Sequence, residues 1–236
     1  MKEALRISAK NLGAVALPDF CPRCFWIQVR CLYRLPFQIF PGIFSSIDAY
    51  TKRVVHGWLD EFGRVPEWLS ELGDIECYLP PPHHSKFHYY AEAQNIVLTG
   101  SPDAILRTRS GSHIIIDYKT AKFTDTQDEL YPMYEAQLNA YAMIGASRGY
   151  EPVSSLALMY AEPVTDEQTA CHGDNRRASG FAMPFEVHVK PVTLDAGIVT
   201  QLLDRAGSVA ASPAAPPGVV GCKNCRLVDR LIEAAT

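Results

Sequence analysis

The pattern of apolar and polar positions predicts helices toward both ends of the chain and strands in its middle. Apolar residues recur at helical spacing over 45–62, and Ser45 or Ser46 is a suitable N-cap for that helix. Pro132 suits the first turn of a later helix, because proline fits the first helical position. The four predicted helices cover residues 20–35, 45–62, 132–148 and 193–209.

Short apolar segments predict the strands of a sheet. The unbroken run of three isoleucines at 114–116 indicates a central strand that is buried on both faces. Segments 87–94, 96–108 and 113–120 are expected to follow one another as antiparallel strands, with a turn at 110–112. Further strands are predicted over 74–79, 153–161 and 181–192. This order of elements predicts one α/β domain with a mixed sheet flanked by helices.

Composition and charge limit the classes of function. With 47% hydrophobic and 20% charged residues, the 236-residue chain has the profile of a globular protein. Its net charge of −4 argues against binding nucleic acid by bulk charge, so such binding needs a local basic surface. No apolar run approaches the roughly 20 residues of a membrane span, and the first residues lack a signal-peptide core. We therefore expect a cytoplasmic protein without a membrane partner, whose seven cysteines form no disulfide framework.

Charged residues at the end of the central strand predict a hydrolytic site. Asp117 and Lys119 are two positions apart, so they project from the same face of a strand. Asp103 lies one hairpin earlier, on the neighbouring predicted strand, and can add a second carboxylate. Two carboxylates favour a hard divalent cation, and a nearby lysine can orient or deprotonate a water. Taken alone, the Asp-x-Lys motif is a weak signal, because a surface ion pair explains most examples of it.

Two predicted helices carry further candidates for this site. Gln137 and Tyr141 are four residues apart and share a helix face, from which they can contact a phosphate or support the lysine. His56 can supply an imidazole to the same cation, since manganese accepts one imidazole among carboxylates. Asp48, two turns before His56, is a weaker candidate. The alternatives are an ordinary amphipathic surface and a half-buried structural histidine.

Two Cys-x-x-Cys pairs, Cys21 with Cys24 and Cys222 with Cys225, lie at opposite ends of the chain. Four thiolates suit a tetrahedral zinc ion and suit a [4Fe–4S] cluster equally, and the spacing does not choose between them. Two unrelated reduced pairs are the alternative. A shared metal would fasten the segment after the Ala/Pro-rich stretch 210–218 onto the N-terminal helix and contribute directly to folding. Cys31 is the one spare thiol considered as a ligand.

Four motifs occur in the order found in a known nuclease family: His56, Gly100-Ser-Pro-Asp103, Asp117-Tyr-Lys119 and Gln137-x-x-x-Tyr141. Their combination resembles the PD-(D/E)XK nuclease superfamily. It resembles more closely the RecB-type nuclease domains and the CRISPR-associated exonucleases that carry an iron–sulfur cluster. The cysteine pairs extend this likeness to nearly the whole chain, although related nucleases usually place one cysteine early and three late.

The resemblance implies a restriction-endonuclease-like core over about 45–192 within a single domain of residues 1–236. It implies cysteine-site segments over about 20–35 and 219–230, which would hold a [4Fe–4S] cluster on Cys21, Cys24, Cys222 and Cys225, with structural zinc as the alternative.

The resemblance also implies the ligands and roles of the catalytic site. Magnesium or manganese would be held by Asp103, Asp117, the backbone carbonyl of Tyr118 and, as a further candidate, His56. Lys119 would position and activate the attacking water, while the Gln137–Tyr141 face would meet the DNA backbone or brace the site.

The implied function is metal-dependent DNA hydrolysis, of an exonuclease type, on single strands or duplex ends. The implied setting is DNA repair and recombination or CRISPR and phage defence. The alternative is a catalytically silent DNA-binding or assembly module with the same fold.

Overall fold

A computed structural model describes the protein over residues 4–33, 42–124 and 128–235. The helices are α1 (Ala9–Gly13), α2 (Pro22–Arg30), α3 (Gly42–Phe62), α4 (Tyr131–Ser147), α5 (Glu167–Cys171), α6 (Ala196–Ala211) and α7 (Lys223–Ala235). The strands are β1 (Leu5–Ser8), β2 (Ile75–Leu79), β3 (His88–Ala91), β4 (Ile96–Thr99), β5 (Ala104–Thr108), β6 (His113–Lys119), β7 (Val153–Pro163), β8 (Arg176–Arg177), β9 (Gly180–Phe181) and β10 (Phe185–Val192).

The central sheet has five strands in the order β10-β7-β6-β5-β2. β6 and β7 run parallel, whereas the other neighbouring strands pair antiparallel, so the sheet is mixed as predicted. β6 occupies the middle of this sheet, and its first six residues are buried. The isoleucine run therefore forms the central buried strand that its composition predicts.

The two faces of β6 are covered by different helices. Ile115 packs in the same apolar cluster as Leu138 of α4. Ile114 and Ile116 pack in a second cluster with Val55 of α3. Because strand side chains alternate, residues 115, 117 and 119 all face the α4 side of the sheet. This alternation brings the charged end of β6 to helix α4.

The turn between β5 and β6 lies at the predicted position. Gly111 adopts a φ of +88°, a backbone conformation that favours glycine. The hydroxyl of Thr108 bonds those of Ser110 and Ser112 at 2.9 and 2.8 Å. The resulting hairpin pairs Ala104 with Ile116.

The prediction of three consecutive antiparallel strands over 87–120 is wrong. β3 and β4 belong to a separate three-stranded sheet, in which β4 also pairs in parallel with β1. The predicted strand 96–108 is interrupted because Gly100 is packed against α4 and Pro102 has no N–H to give to a ladder. Asp103 consequently lies in a bend directly before β5, and not within a strand as expected.

The helix boundaries agree with the prediction at several ends. α3 ends at Phe62 as predicted, and α4 carries Pro132 in its first turn. α3 begins at Gly42, three residues earlier than predicted, so Ser45 and Ser46 lie inside the helix and not at its N-cap. Asp195 caps α6, accepting a bond from the Gly197 N–H at 2.8 Å. α2 ends at Arg30, and the remainder of the predicted helix 20–35 falls partly outside the described residues. Within the described ranges, no helix combines the length and apolar character that crossing a bilayer requires.

Candidate active site and cysteine centre

Asp117 and Lys119 meet α4 at the end of β6. The Lys119 ammonium pairs with Asp117 Oδ2 and lies 4.0 Å from the centre of the Tyr134 ring. On the other carboxylate oxygen, Gln137 Nε2 donates a hydrogen bond to Asp117 Oδ1 at 3.1 Å. Gln137 Nε2 also donates to Tyr141 Oη at 2.8 Å. The structure thus gathers four of the predicted site residues into one contact network.

Asp103 reaches the same network from the bend before β5. Its Oδ2 accepts a hydrogen bond from the backbone N–H of Tyr118 at 2.7 Å, which fixes it beside the strand that carries Asp117. Its Oδ1 lies 2.8 Å from the ammonium of Lys52 on α3. Both carboxylate oxygens of Asp103 are therefore held, one by the sheet and one by a helix.

Burial dominates the electrostatics of the acidic pair. Burial raises the pKa of Asp117 to about 6. The positive charge of Lys119 acts to lower this pKa, and the negative charge of Asp103 acts to raise it further. The carboxylate is therefore largely ionised at neutral pH, in the form that can bind a cation. Two neighbouring carboxylates of this kind fit a hard divalent cation, since their oxygens repel each other without one.

The sequence model of the PD-(D/E)XK nuclease superfamily matches residues 42–227, most of the chain and the whole network just described. The chain belongs to this superfamily. The predicted family is confirmed at that level, and superfamily members are generally phosphodiester hydrolases that use magnesium or manganese. The finer resemblance to RecB-type enzymes stays a prediction.

Two further comparisons complete this picture. The crystal structure of SSO0001 is similar to this chain with 16% sequence identity and a TM-score of 0.44, over 90% of this chain and 80% of that one. No curated protein matches the sequence.

In this superfamily member, Tyr141 is braced by a close backbone approach. A Cβ placed on Gly100 would lie 2.7 Å from two ring carbons of Tyr141. Because glycine has no Cβ, Gly100 allows this close contact, which helps to hold the Tyr141 hydroxyl within hydrogen-bond distance of Gln137 Nε2.

We expect Gly100→Ala to move the Tyr141 ring and to lower both stability and any nuclease activity. Overpacking of this kind costs about 1–3 kcal/mol, which urea denaturation will measure. Gly57→Ala is the matched control: a Cβ at exposed Gly57 on α3 meets nothing within 4 Å. That control should gain up to about 1 kcal/mol from helix propensity. Equal stability of Gly100→Ala and the wild type would contradict the bracing role.

His56 lies apart from the close acidic network. Its ring stacks on Tyr78 with centroids 3.7 Å apart, and its Nε2 is buried without a hydrogen-bond partner among the described residues. Burial lowers the pKa of His56 and so favours the neutral imidazole that can bind a metal. In the described part of the chain, however, no group of three or more mutually close ligand atoms joins His56 to Asp103 and Asp117. Metal ligation by His56 stays a prediction.

Lys52 is the residue of this site that sequence reasoning missed. It contacts Asp48 Oδ2 at 2.9 Å as well as Asp103, and it lies one turn before His56 on α3. The helical spacing of residues 48, 52 and 56 was the available signal. A lysine on a predicted amphipathic helix is nevertheless so common that this spacing alone indicates no site.

The four predicted cysteines come together into one cluster. The Sγ atoms of Cys21, Cys24, Cys222 and Cys225 all lie within 4.8 Å of one another. Three Sγ–Sγ separations measure 3.5, 3.6 and 3.5 Å. The four-cysteine cluster can hold a metal and joins segments about 200 residues apart, as predicted. Cys31 lies in an exposed turn after α2 and is not a member of the cluster.

The backbone around the cluster supports it. The Val219 N–H lies 3.5 Å from Cys21 Sγ, and a Cβ on Gly218 would lie 2.7 Å from Cys225 Sγ. Burial works to raise the pKa of Cys21, but backbone N–H groups and neighbouring thiols outweigh it and lower the value to about 6. Burial raises the pKa of Cys24 and of Cys225, so the metal-binding thiolate form is favoured at Cys21 but not at these two cysteines.

Proposed function

We propose that this protein is a metal-dependent DNA nuclease that hydrolyses phosphodiester bonds. The observation that carries the proposal is that Asp103, Asp117 and Lys119 come together at the C-terminal end of β6. The superfamily match supports the reaction class, and nucleic acid is the substrate that the superfamily implies. Linear DNA with single-stranded or duplex ends is the substrate we propose, in repair, recombination or defence against foreign DNA.

The proposed mechanism assigns one task to each side chain. Asp103, Asp117 and the Tyr118 carbonyl would hold the cation, with His56 as a further candidate. A bound Mg²⁺ or Mn²⁺ supplies charge for a phosphoryl oxygen and lowers the pKa of a water. Lys119 Nζ would orient that water toward the phosphorus, while its contact with Asp117 fixes the ammonium.

Gln137 and Tyr141 would hold this arrangement rigid from α4. Gln137 Nε2 bonds both Asp117 and Tyr141, so it links the metal-binding carboxylate to a helix whose middle is buried. Gln137 Oε1 is buried and lacks a hydrogen-bond partner among the described residues. It can accept a bond from a water or a substrate hydroxyl without competing for the cation.

A gel assay will separate the nuclease from its rival, a catalytically silent DNA-binding or assembly module. Linear single- and double-stranded DNA, labelled at either end, is incubated with the protein and Mn²⁺ or Mg²⁺. We expect shortened products that require the cation and disappear with EDTA. Binding without cleavage, across both metals and both substrates, would favour the silent module.

For the four-cysteine cluster we propose a single zinc ion as its metal. A Zn–S distance of about 2.3 Å in a tetrahedron gives Sγ–Sγ edges of about 3.8 Å. Three of the Sγ–Sγ separations are 3.5–3.6 Å, and all lie within 4.8 Å. A [4Fe–4S] cluster inserts four irons and four sulfides between its thiolates and would require them to move apart. The distances therefore favour zinc over the cluster that the resemblance implies.

Metal analysis of protein purified without oxygen tests this choice. We expect a colourless protein with one zinc per chain. A broad absorption band near ~400 nm, with iron and sulfide present, would establish the cluster instead. Either result leaves the nuclease proposal unaffected.

The reducing conditions that keep four thiols available for a metal also favour the cytoplasm as the location we propose.

A further inference from the structure

Lys52 joins helix α3 to the acidic pair through two charged contacts. Its Nζ lies 2.8 Å from Asp103 Oδ1 and 2.9 Å from Asp48 Oδ2. Its side chain is 29% exposed, so solvent screens these contacts only in part. The ammonium is thus shared between one carboxylate of the proposed metal site and one carboxylate outside it.

The Lys52 ammonium occupies a position at Asp103 that a bound cation would need. Asp103 is one of the proposed metal ligands, and its Oδ1 contacts the ammonium directly. An ammonium and a dication that use the same carboxylate oxygen repel each other strongly at contact distance.

We propose that Lys52 is a positioning residue that competes with the divalent cation for Asp103. A cation held by Asp103 would displace the Lys52 ammonium, which would stay paired with Asp48 one helical turn away. The backbone N–H of Tyr118 keeps its bond to Asp103 Oδ2 throughout, so the carboxylate does not turn when the ammonium leaves. This inference rests on the metal site of the proposed nuclease and adds a residue that sets its affinity.

Direct titration of Mn²⁺ tests the competition without any DNA. Isothermal titration calorimetry is performed on the full chain, purified with the four-cysteine cluster filled. We expect Lys52→Met to bind Mn²⁺ at least about tenfold more tightly than the wild type, since a partly buried competing cation is removed. Arg53→Met is the control, because exposed Arg53 is the next residue on α3 and its replacement removes the same charge. Its affinity should stay within about twofold of the wild type.

A second variant tests the role of Asp48. Asp48→Asn takes away the carboxylate that receives the displaced ammonium, so it should weaken Mn²⁺ binding. In the Lys52→Met background the same change should have a clearly smaller effect, because Asp48 acts through Lys52. Equal effects of Asp48→Asn in both backgrounds would make Asp48 a direct ligand and overturn its assigned role.

The proposal is overturned if Lys52→Met binds Mn²⁺ no more tightly than the wild type, or if the wild type binds none. Asp117→Ala should abolish the heat of Mn²⁺ binding. This loss would show that the heat measured for the wild type comes from binding at the acidic pair. If Lys52→Met tightens Mn²⁺ binding but the wild type does not cleave DNA, the nuclease proposal is refuted and the competition between Lys52 and the cation is supported. Cleavage with Lys52-independent Mn²⁺ binding would support the nuclease and refute the competition.

Discussion

Lys119→Ala and Asp117→Ala are each expected to reduce metal-dependent DNA cleavage by at least about a hundredfold. Loss of a residue that positions the nucleophile costs about two to four orders of magnitude, and loss of a carboxylate that holds the cation removes the metal chemistry itself. The two changes act through different atoms. Asp117→Ala should abolish Mn²⁺ binding, whereas Lys119→Ala should retain Mn²⁺ and lose the reaction.

The folded state should survive both substitutions. Burial raises the pKa of the Asp117 carboxyl, so removing this side chain relieves a desolvation cost that offsets part of the loss of its contacts with Lys119 and Gln137. Lys119 lies at the last residue of β6, and its backbone pairing with Tyr160 does not need its side chain. Thermal unfolding followed by circular dichroism checks this. Lys122→Ala is the matched control, because Lys122 is an exposed lysine three residues after Lys119. The Lys122→Ala variant should cleave DNA like the wild type. Undiminished cleavage by both active-site variants would show that the assignment is wrong.

The central part of the fold follows from local signals in the sequence. Three isoleucines in succession specify a strand buried on both faces, and the period of two then fixes which neighbours share a face. Asp117 and Lys119 accordingly reach α4 together, as the structure shows. The four-residue spacing of Gln137 and Tyr141 is equally local, and the two side chains are in hydrogen-bond contact.

The second sheet could not be read from local signals. β1 is four residues long and pairs with β4, about 90 residues later. Neither its length nor the sequence around it predicts this pairing. Ile7 of β1 is buried in the apolar cluster that also contains residues of α4 and α6, so tertiary burial rather than propensity supports this pairing. The bend that carries Asp103 is similarly tertiary in origin, since it depends on the contact between Gly100 and Tyr141. Position within a strand was therefore the wrong part of the prediction, while proximity to β6 was right.

Long-range proximity of the cysteines was predictable for a different reason. Each Cys-x-x-Cys pair is an incomplete ligand set, and chemistry rather than local structure requires a second pair. α7 itself was not predicted, and among its described residues only Cys225 is buried. Leu227, Leu231 and Ile232 on the same helix are substantially exposed. The attachment of α7 therefore depends little on apolar burial and strongly on the four-cysteine cluster.

We accordingly expect Cys225→Ser to release α7 and to lower the thermal unfolding temperature by more than about 10 °C. Structural zinc sites in small domains contribute an apparent binding free energy of about 10–16 kcal/mol, much of which would be lost with one ligand. The bidentate pair between Arg23 and Asp229, at 3.2 and 2.6 Å, would remain but is partly exposed. Such a pair contributes only about 0–1 kcal/mol. Limited proteolysis should then remove the C-terminal segment from the variant and spare it in the wild type.

Two further variants separate the metal from the thiols. Cys171→Ser replaces an exposed cysteine outside the cluster and should change neither metal content nor stability. Gly218→Ala keeps all four thiols but places a Cβ 2.7 Å from Cys225 Sγ, so it should reduce bound metal and expose the C-terminal segment to protease. If Cys225→Ser lost its metal yet kept the wild-type unfolding temperature and protease resistance, the cluster would not be what fastens α7. Contacts such as the Arg23–Asp229 pair would then contribute more to the attachment than we expect.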